Sequence, residues 1–276
     1  MSGRIAFLYA VSQIHAGKGS DVGVVDLPIQ RERHTDFPVI SGIKGAIRNE
    51  VDFGDKETKI FGNDFGKNDD SNQAGSVAFS EAKILFFPVR SIERGFVWLT
   101  SRLLLSRLRV AFEMIENDDI ADKLVFLEKI DNEKAYSTFN ANKVGLEEYE
   151  IEVEQSDDLK KFVSCLEKIF PDKLLFDKFL GNLILLNDDQ FKFFIRNSTE
   201  ILPRIAIDPE TGVTKTGSLW YEEFLPQDTV MYFVVKELRN KEKGLLEIVE
   251  RKLDKQFIDV GGNTSIGKGF SYITLK

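Results

Sequence analysis

A polar segment of about twenty residues, Ile14 to Thr35 (IHAGKGSDVGVVDLPIQRERHT), interrupts the apolar pattern of this chain almost as soon as that pattern begins. It follows a strand-like run, Arg4–Gln13 (RIAFLYAVSQ), and precedes a second short apolar run, Phe37–Ile40. A connection that long is uncommon in a compact chain unless it has a purpose, and loops held on a rigid scaffold are where function concentrates. The segment carries both histidines of the protein, His15 and His34, three glycines, the two aspartates Asp21 and Asp26, and Arg31 and Arg33.

The flanking pattern is that of an α+β protein. Arg4–Gln13 is a nearly continuous β-rich apolar run, as a buried strand is. Ile43, Ala46, Ile47 and Val51 recur at helical spacing, with Ser41 placed to cap that helix and Lys44 and Arg48 four apart on its other face. Phe61–Gly75 is a Gly/Asn/Asp-rich loop. Ser76–Val89 and Phe96–Leu99 read as strands, and Ser101–Ile115 as an amphipathic helix. Helices are expected over Leu159–Phe170, ended by Pro171, and over Asp188–Asn197. A strand, an Asp208–Gly212 turn and a returning strand follow from Ile201. Thr229–Leu238 is the clearest strand, followed by a helix over Lys241–Leu253 and a last strand, Phe270–Leu275. Strand–helix–strand at the front and strand–strand–helix–strand at the back suggest antiparallel sheets with helices on one face. Such halves fit a ferredoxin-like or RNA-recognition-like core, with about 116–200 as an insertion into one domain spanning 1–276.

With 276 residues and 42% hydrophobic content the chain can bury a substantial core. A single cysteine, Cys165, excludes an internal disulfide and a multi-thiolate metal site. No apolar run is long enough to span a bilayer and no signal peptide is evident, so a cytoplasmic protein is expected. The net charge of −8 argues against nucleic acid until its distribution is considered. From Glu113 to Lys160 fifteen acidic residues face five basic ones, which exceeds the whole deficit. Lys83 to Arg109 holds six basic residues against Glu93 alone. Each run has an ordinary reading as a solvated face.

Asp21 and Asp26 either turn the loop through side-chain to backbone bonds or offer a carboxylate to a cation or a phosphodiester. His15 is either structural or a polar partner of that chemistry; two histidines alone build no zinc site. Trp220-Tyr221-Glu222-Glu223 is either core and rim, or a base-stacking platform beside a carboxylate. In the tail, Gly262–Lys268 (GNTSIGK) has the spacing of a phosphate-binding loop, but Gly269 stands where a Ser or Thr should hold magnesium, and a strand rather than a helix follows. What survives is a cradle of backbone N–H groups with one cation at Gly261, Gly262, Gly267, Lys268 and Gly269.

Taken together, HAGKGSDVGVVDLPIQRERHTDFPVI, GIKGAIR, FGNDFG with GSVAFSEAKILFFPVRS, IDPETGVTKTGSLWYEEFLP and GGNTSIGKGF resemble the RAMP superfamily. Within it they are similar to the repeated backbone subunits of Cmr complexes, the type III-B CRISPR effectors. The blocks cover about residues 4–110 and 201–276.

The resemblance implies a modified ferredoxin-like palm with large insertions, stacked in copies along a guide RNA beside other Cmr subunits. It implies an endoribonuclease that cuts complementary target RNA at regular intervals with a divalent metal ion, Mg or Mn. The catalytic aspartate then falls on Asp26, also the metal ligand, with His15 and Glu222 as auxiliaries and Asp21 as loop structure. The guide-binding helix falls on Ile43–Arg48 and the glycine-rich loop on Gly261–Gly269. The RNA contacts are then Arg31, Lys44, Arg48, Gly261, Gly262, Lys268 and Gly269. A shortened turn at Ser41–Gly45 departs from the family's longer small-residue turn. The alternative is a non-catalytic scaffold that binds guide RNA and uses its aspartate only to turn the loop.

Overall fold

The computed structural model describes residues 3–20, 23–63, 74–238 and 241–276; Asp21 and the second half of the FGNDFG block lie outside them. The first strand, β1 (Gly3–Ala10), pairs antiparallel with β12 (Val230–Glu237) on one side and β14 (Phe270–Leu275) on the other. Its even residues Ala6, Leu8 and Ala10 enter one hydrophobic core, and Ile5, Phe7 and Tyr9 enter another on the opposite face. A strand buried on both faces has no polar side to show, which is why its sequence is unbroken apolar.

After β2 (Val39–Ile40) comes α1 (Ile43–Glu50), whose Ile43 and Ile47 are fully buried. Its N-cap is Gly42 without a side-chain bond, not Ser41 as the sequence suggests; Ser41 Oγ instead donates to Gln30 Oε1 at 2.8 Å. Next are α2 (Glu57–Phe61), β3 (Val77–Phe79), β4 (Ala82–Ser91), β5 (Gly95–Ser101) and α3 (Arg102–Met114), which Ser101 caps. The central portion holds α4 (Asp118–Ala121), β6 (Ala135–Ser137), β7 (Lys143–Leu146), β8 (Tyr149–Gln155), α5 (Asp157–Ser164), α6 (Lys173–Leu180), β9 (Leu183–Leu186) and α7 (Asp188–Asn197). The helix expected to reach Phe170 stops at Ser164 and is followed by a single 3-10 turn, Glu167–Ile169. A ribbon of β10 (Glu200–Ile207) and β11 (Thr214–Phe224) stands apart from the main sheet, and α8 (Leu245–Leu253) and β13 (Gln256–Asp259) complete the chain.

Among the described residues the main sheet runs β13-β14-β1-β12-β4-β5-β9-β6-β8-β7, with β2 and β3 pairing to it. All pairings are antiparallel except β5–β9 and β6–β8. Helices cover both faces, against the one-face expectation. Side chains of α1, α7 and α8 join one core; those of α3, α5 and α6 join the other, around Phe7, Phe86, Trp98, Phe112 and Phe179. The wide sheet has two apolar faces to cover, so a single layer of helices cannot suffice. Glu150, Glu152 and Glu154 of the acidic segment lie exposed on β8, Glu150 and Glu154 paired with Lys143 and Lys134. No helix among the described residues is long and apolar enough to cross a membrane.

Candidate active site

Where β1 ends, the chain leaves the sheet between the last residues of β11 and the turn that precedes β14. Ile14 exchanges backbone bonds with Leu225, at 3.0 and 2.9 Å. Gly262 N donates to His15 O at 2.9 Å, and Gly269 N to Gln13 O at 2.8 Å. The long polar segment is therefore clasped on two sides, and it folds back on itself: Lys18 N donates to Pro28 O and Gln30 N to Ala16 O. The result is an irregular ribbon whose tip is open to solvent, with Val24 95% exposed.

Asp26 sits exposed near that tip. Its Oδ2 accepts from Tyr221 N at 2.8 Å, and its Oδ1 has no partner among the described residues. Leu27 continues the contact, its N donating to Tyr221 O at 3.0 Å while its O accepts from Glu223 N at 3.0 Å. His15 lies two strand residues further on. Its Nδ1 is 2.8 Å from Glu223 O, which can only accept, so Nδ1 carries the proton and Nε2 is left as an acceptor. The ring rests against Phe224, centroids 5.4 Å apart. A Cβ on Gly17 would lie 2.7 Å from Nε2, so only glycine leaves the ring this room. Asp26 and His15 are thus held along the same strand edge by residues two apart, Tyr221 and Glu223.

Glu222 and Glu223, adjacent on β11, face opposite ways as strand neighbours must. Both are buried, at 4% and 6% exposure. Glu222 accepts from Trp220 Nε1 and from Asn263 Nδ2, each at 2.8 Å, with Arg204 Nε 3.7 Å away. It ties the ribbon to the tail. Glu223 accepts from Arg31 at 2.5 Å, from Thr199 Oγ1 at 2.8 Å and from Ile29 N at 3.0 Å. Arg31 also donates to Asp36 O at 2.9 Å and keeps only 16% of its side chain exposed.

The other candidates are more scattered. Lys44 is exposed on α1, whereas Arg48 donates to Glu57 Oε1 at 2.9 Å and lies 6.0 Å from the Phe61 ring centre. In the tail Gly261 and Gly269 have φ of +90° and +83°, and a Cβ on either would meet a carbonyl oxygen, His15 O or Val260 O, at 2.5 Å. The open cradle of N–H groups is not what forms: the N–H groups of Gly262, Gly267 and Gly269 donate to His15 O, Thr264 O and Gln13 O. Lys268 Nζ donates to Gln13 Oε1 and lies 5.3 Å from the Phe224 ring centre. The basic run is largely spent inside the molecule, Arg107 on Glu32 at 2.8 Å and Arg109 on Glu113 and Glu128. Glu32 is raised by burial, but the bonds from Thr35 and Arg107 outweigh this and hold its carboxyl below the ordinary range.

Among the described residues no three His, Cys, Asp or Glu side chains gather where they could hold a metal ion. Glu222 is claimed by three nitrogen groups and Glu223 by Arg31, so Asp26 offers a single ligand oxygen. The protein side alone does not make the full oxygen shell that Mg requires.

The sequence matches the RAMP superfamily over residues 7–272. This chain belongs to the RAMP superfamily. A relative described as CRISPR system Cmr endoribonuclease Cmr4, from Pyrococcus furiosus, is 36% identical over 295 residues, covering 100% of this chain and 96% of that protein. A solved structure of oligomeric Cmr4 from the same organism superimposes with a TM-score of 0.75 at 29% identity, over 100% of this chain and 98% of that one. A chain of a type III-B Cmr-beta complex bound to cognate target RNA shares the fold, with a TM-score of 0.80 at 24% identity over 100% of this chain and 97% of that one.

In this RAMP protein Asp26 and His15 are both anchored to the backbone of the last residues of β11, at Tyr221 and Glu223, whereas the Glu222 side chain between them points toward the tail. The sequence offered Glu223 only as a member of the Trp220–Glu223 cluster. Strand alternation says that two consecutive glutamates face opposite ways, and the structure turns Glu223 toward Ile29 and Arg31 of the loop.

Proposed function

We propose that this chain is a backbone subunit of an RNA-guided Cmr-type effector that binds guide RNA and cleaves the complementary target RNA at regular intervals. Its partners are guide RNA, target RNA, other Cmr subunits and further copies of itself. The observation that carries the reading is Asp26: a carboxylate on an exposed loop tip, one oxygen fixed by Tyr221 N and the other open. The name and full-length identity of the Pyrococcus relative support the class of reaction.

The core of the chain is a modified ferredoxin-like palm. Supporting this, β1, α1, β4, β12, α8 and β14 follow one another in chain order, and their strands lie side by side as β14-β1-β12-β4, all antiparallel. Both helices pack into the same core. We take 1–276 as one domain, with residues of about 116–200 inserted between the second and third palm strands.

The β10–β11 ribbon supplies what the chemistry needs from geometry. Ile201, Ile205, Ile207, Val213, Leu219 and Tyr221 are all at least 40% exposed on it. Apolar side chains on a projecting ribbon suit insertion into a base stack, which would displace a target nucleotide beside Asp26. The freed 2′-hydroxyl aligns with its own 3′ phosphate; its oxygen bonds to phosphorus as the bond to the 5′ oxygen of the next nucleotide breaks. Asp26 Oδ1 accepts the hydroxyl proton, and the departing oxygen is protonated by water or by His15 in its protonated form. The products are a 2′,3′-cyclic phosphate and a 5′-hydroxyl. In place of that proton transfer, the open oxygen of Asp26 would hold a divalent cation, Mg or Mn, which would take its remaining oxygens from RNA and water and supply positive charge beside the phosphate. Lys44, Arg48 and Lys268 are the cations we assign to the RNA backbone; Gly261, Gly262 and Gly269 shape the turn that carries Lys268, their close packing being against His15 and Val260 of the chain itself.

One observation favours the scaffold alternative: Asp26 already does a structural job for Tyr221. Asp26→Asn separates the two, because the amide oxygen can still accept from Tyr221 N while the base is gone. In the assembled complex we expect normal assembly and guide binding with target cleavage abolished. Cleavage at the wild-type rate would leave only the scaffold.

A further inference from the structure

We propose that Glu223 is the positioning residue of this site, and that its pair with Arg31 is a clamp that fixes Asp26 against His15. The proposal rests on the reading of Asp26 as the reactive carboxylate.

Four groups of the polar loop are held by this one residue. Its N–H donates to Leu27 O at 3.0 Å and its C=O accepts from His15 Nδ1 at 2.8 Å. Its carboxylate accepts from Ile29 N at 3.0 Å and from Arg31 at 2.5 Å. Asp26 binds Tyr221 N two residues earlier on the same edge. The separation of Asp26 from His15 therefore depends on the register in which residues 26–31 lie along 221–225.

Backbone bonds do not set that register alone, because the N–H and C=O pattern repeats along any extended segment. A carboxylate that must find one particular guanidinium and one N–H does set it. A slip of one residue would move Asp26 by about 3.3 Å, and errors of about 1 Å cost up to ~100-fold in rate. The same C=O holds His15 in the tautomer that presents Nε2. With 6% exposure, Glu223 is out of reach of RNA, so it acts through Asp26 and His15 rather than on substrate. Arg31 belongs to the same unit: its guanidinium is engaged by Glu223 and Asp36 O, which makes it a loop anchor rather than a phosphate contact.

The test uses the chain assembled with its guide RNA. In Glu223→Gln and Arg31→Met assemblies, cleavage at saturating target falls by about tenfold or more, while guide and target affinities and their salt dependence stay at wild-type values. The double variant is no slower than the slower single variant, because each change removes the same clamp. Arg31→Lys keeps the charge but loses the planar fork; its rate lies between wild type and Arg31→Met, and it decides the matter if Glu223→Gln does not assemble. Full-rate cleavage in Glu223→Gln overturns the clamp. So do losses that multiply in the double variant, or an Arg31→Met defect that appears as weaker RNA binding with a shallower salt slope. Asp26→Asn measured alongside separates the two levels. If it cleaves normally, the assignment of Asp26 fails; if it is dead while Glu223→Gln is fully active, only the clamp fails.

Discussion

Removing the Glu222 carboxylate should cost stability first. Its two oxygens accept from Trp220 Nε1 and Asn263 Nδ2, both at 2.8 Å, and Arg204 stands 3.7 Å away. Hydrogen bonds to an ionised acceptor contribute about 1.5–3 kcal/mol each. Trp220 and Asn263 are half-buried and can recover water, which places each bond at about the lower end of that range. Arg204, partly exposed and distant, adds no more than ~0.5 kcal/mol. Glu222→Ala is therefore expected to destabilise by about 3 kcal/mol, or roughly 6–12 °C in Tm at the 2–4 °C per kcal/mol usual for chains of about this size. Glu222→Gln keeps an acceptor for one donor and should lose about half as much. Urea unfolding of the two variants followed by circular dichroism measures both. A Glu222→Ala variant within about 1 kcal/mol of wild type would refute the view that Glu222 ties ribbon to tail. A stable Glu222→Gln variant devoid of cleavage would return it to the chemistry.

Replacing Lys44 and Arg48 together by Ala should weaken guide RNA binding and reduce the slope of log K against log salt by up to about 1.4, at ~0.7 per phosphate contact on a single strand; filter binding across a salt series reads both. Gly17→Ala puts a Cβ 2.7 Å from His15 Nε2, and should cost about 1–3 kcal/mol by overpacking and slow cleavage together, where Gly262→Ala, 3.7 Å from the same ring, disturbs it less. The Glu32 carboxyl is lowered in the folded state, so its contribution is full above the ordinary carboxylate range and disappears as pH falls through its folded value. The stability gap between wild type and Glu32→Gln, measured in urea at neutral pH, should accordingly close in acid. Replacing Ile205 and Leu219 on the exposed ribbon by Ser should leave stability within about 0.5 kcal/mol but slow target cleavage; an unaltered rate would exclude the ribbon from displacing the nucleotide.

Local signals carried the elements. The helix at Asp188–Asn197 and the strand at Phe270–Leu275 lie where hydrophobic periodicity places them, and the Asp208–Gly212 turn has the chemistry its residues announce. The resemblance of dispersed blocks identified the family. These are properties of short stretches, and short stretches are what a sequence displays.

Pairwise partners were another matter. Ser41 was a reasonable cap by spacing, but Gln30, eleven residues away, claims its hydroxyl. Tail N–H groups that could have faced a phosphate are spent on His15 and Gln13, residues more than two hundred positions away. The unbroken apolar run of β1 was legible as a buried strand, yet the second layer of helices it demands could be seen only once the sheet was complete. Glu222 and Glu223 are identical in type and adjacent in sequence, so composition and spacing give them one role. The sequence by itself determined that a carboxylate loop follows a buried strand. The tertiary structure decided which glutamate faces that loop, because the direction of a strand side chain is set by the partners across the sheet edge, and those lie 192 and 194 residues away in Arg31 and Ile29.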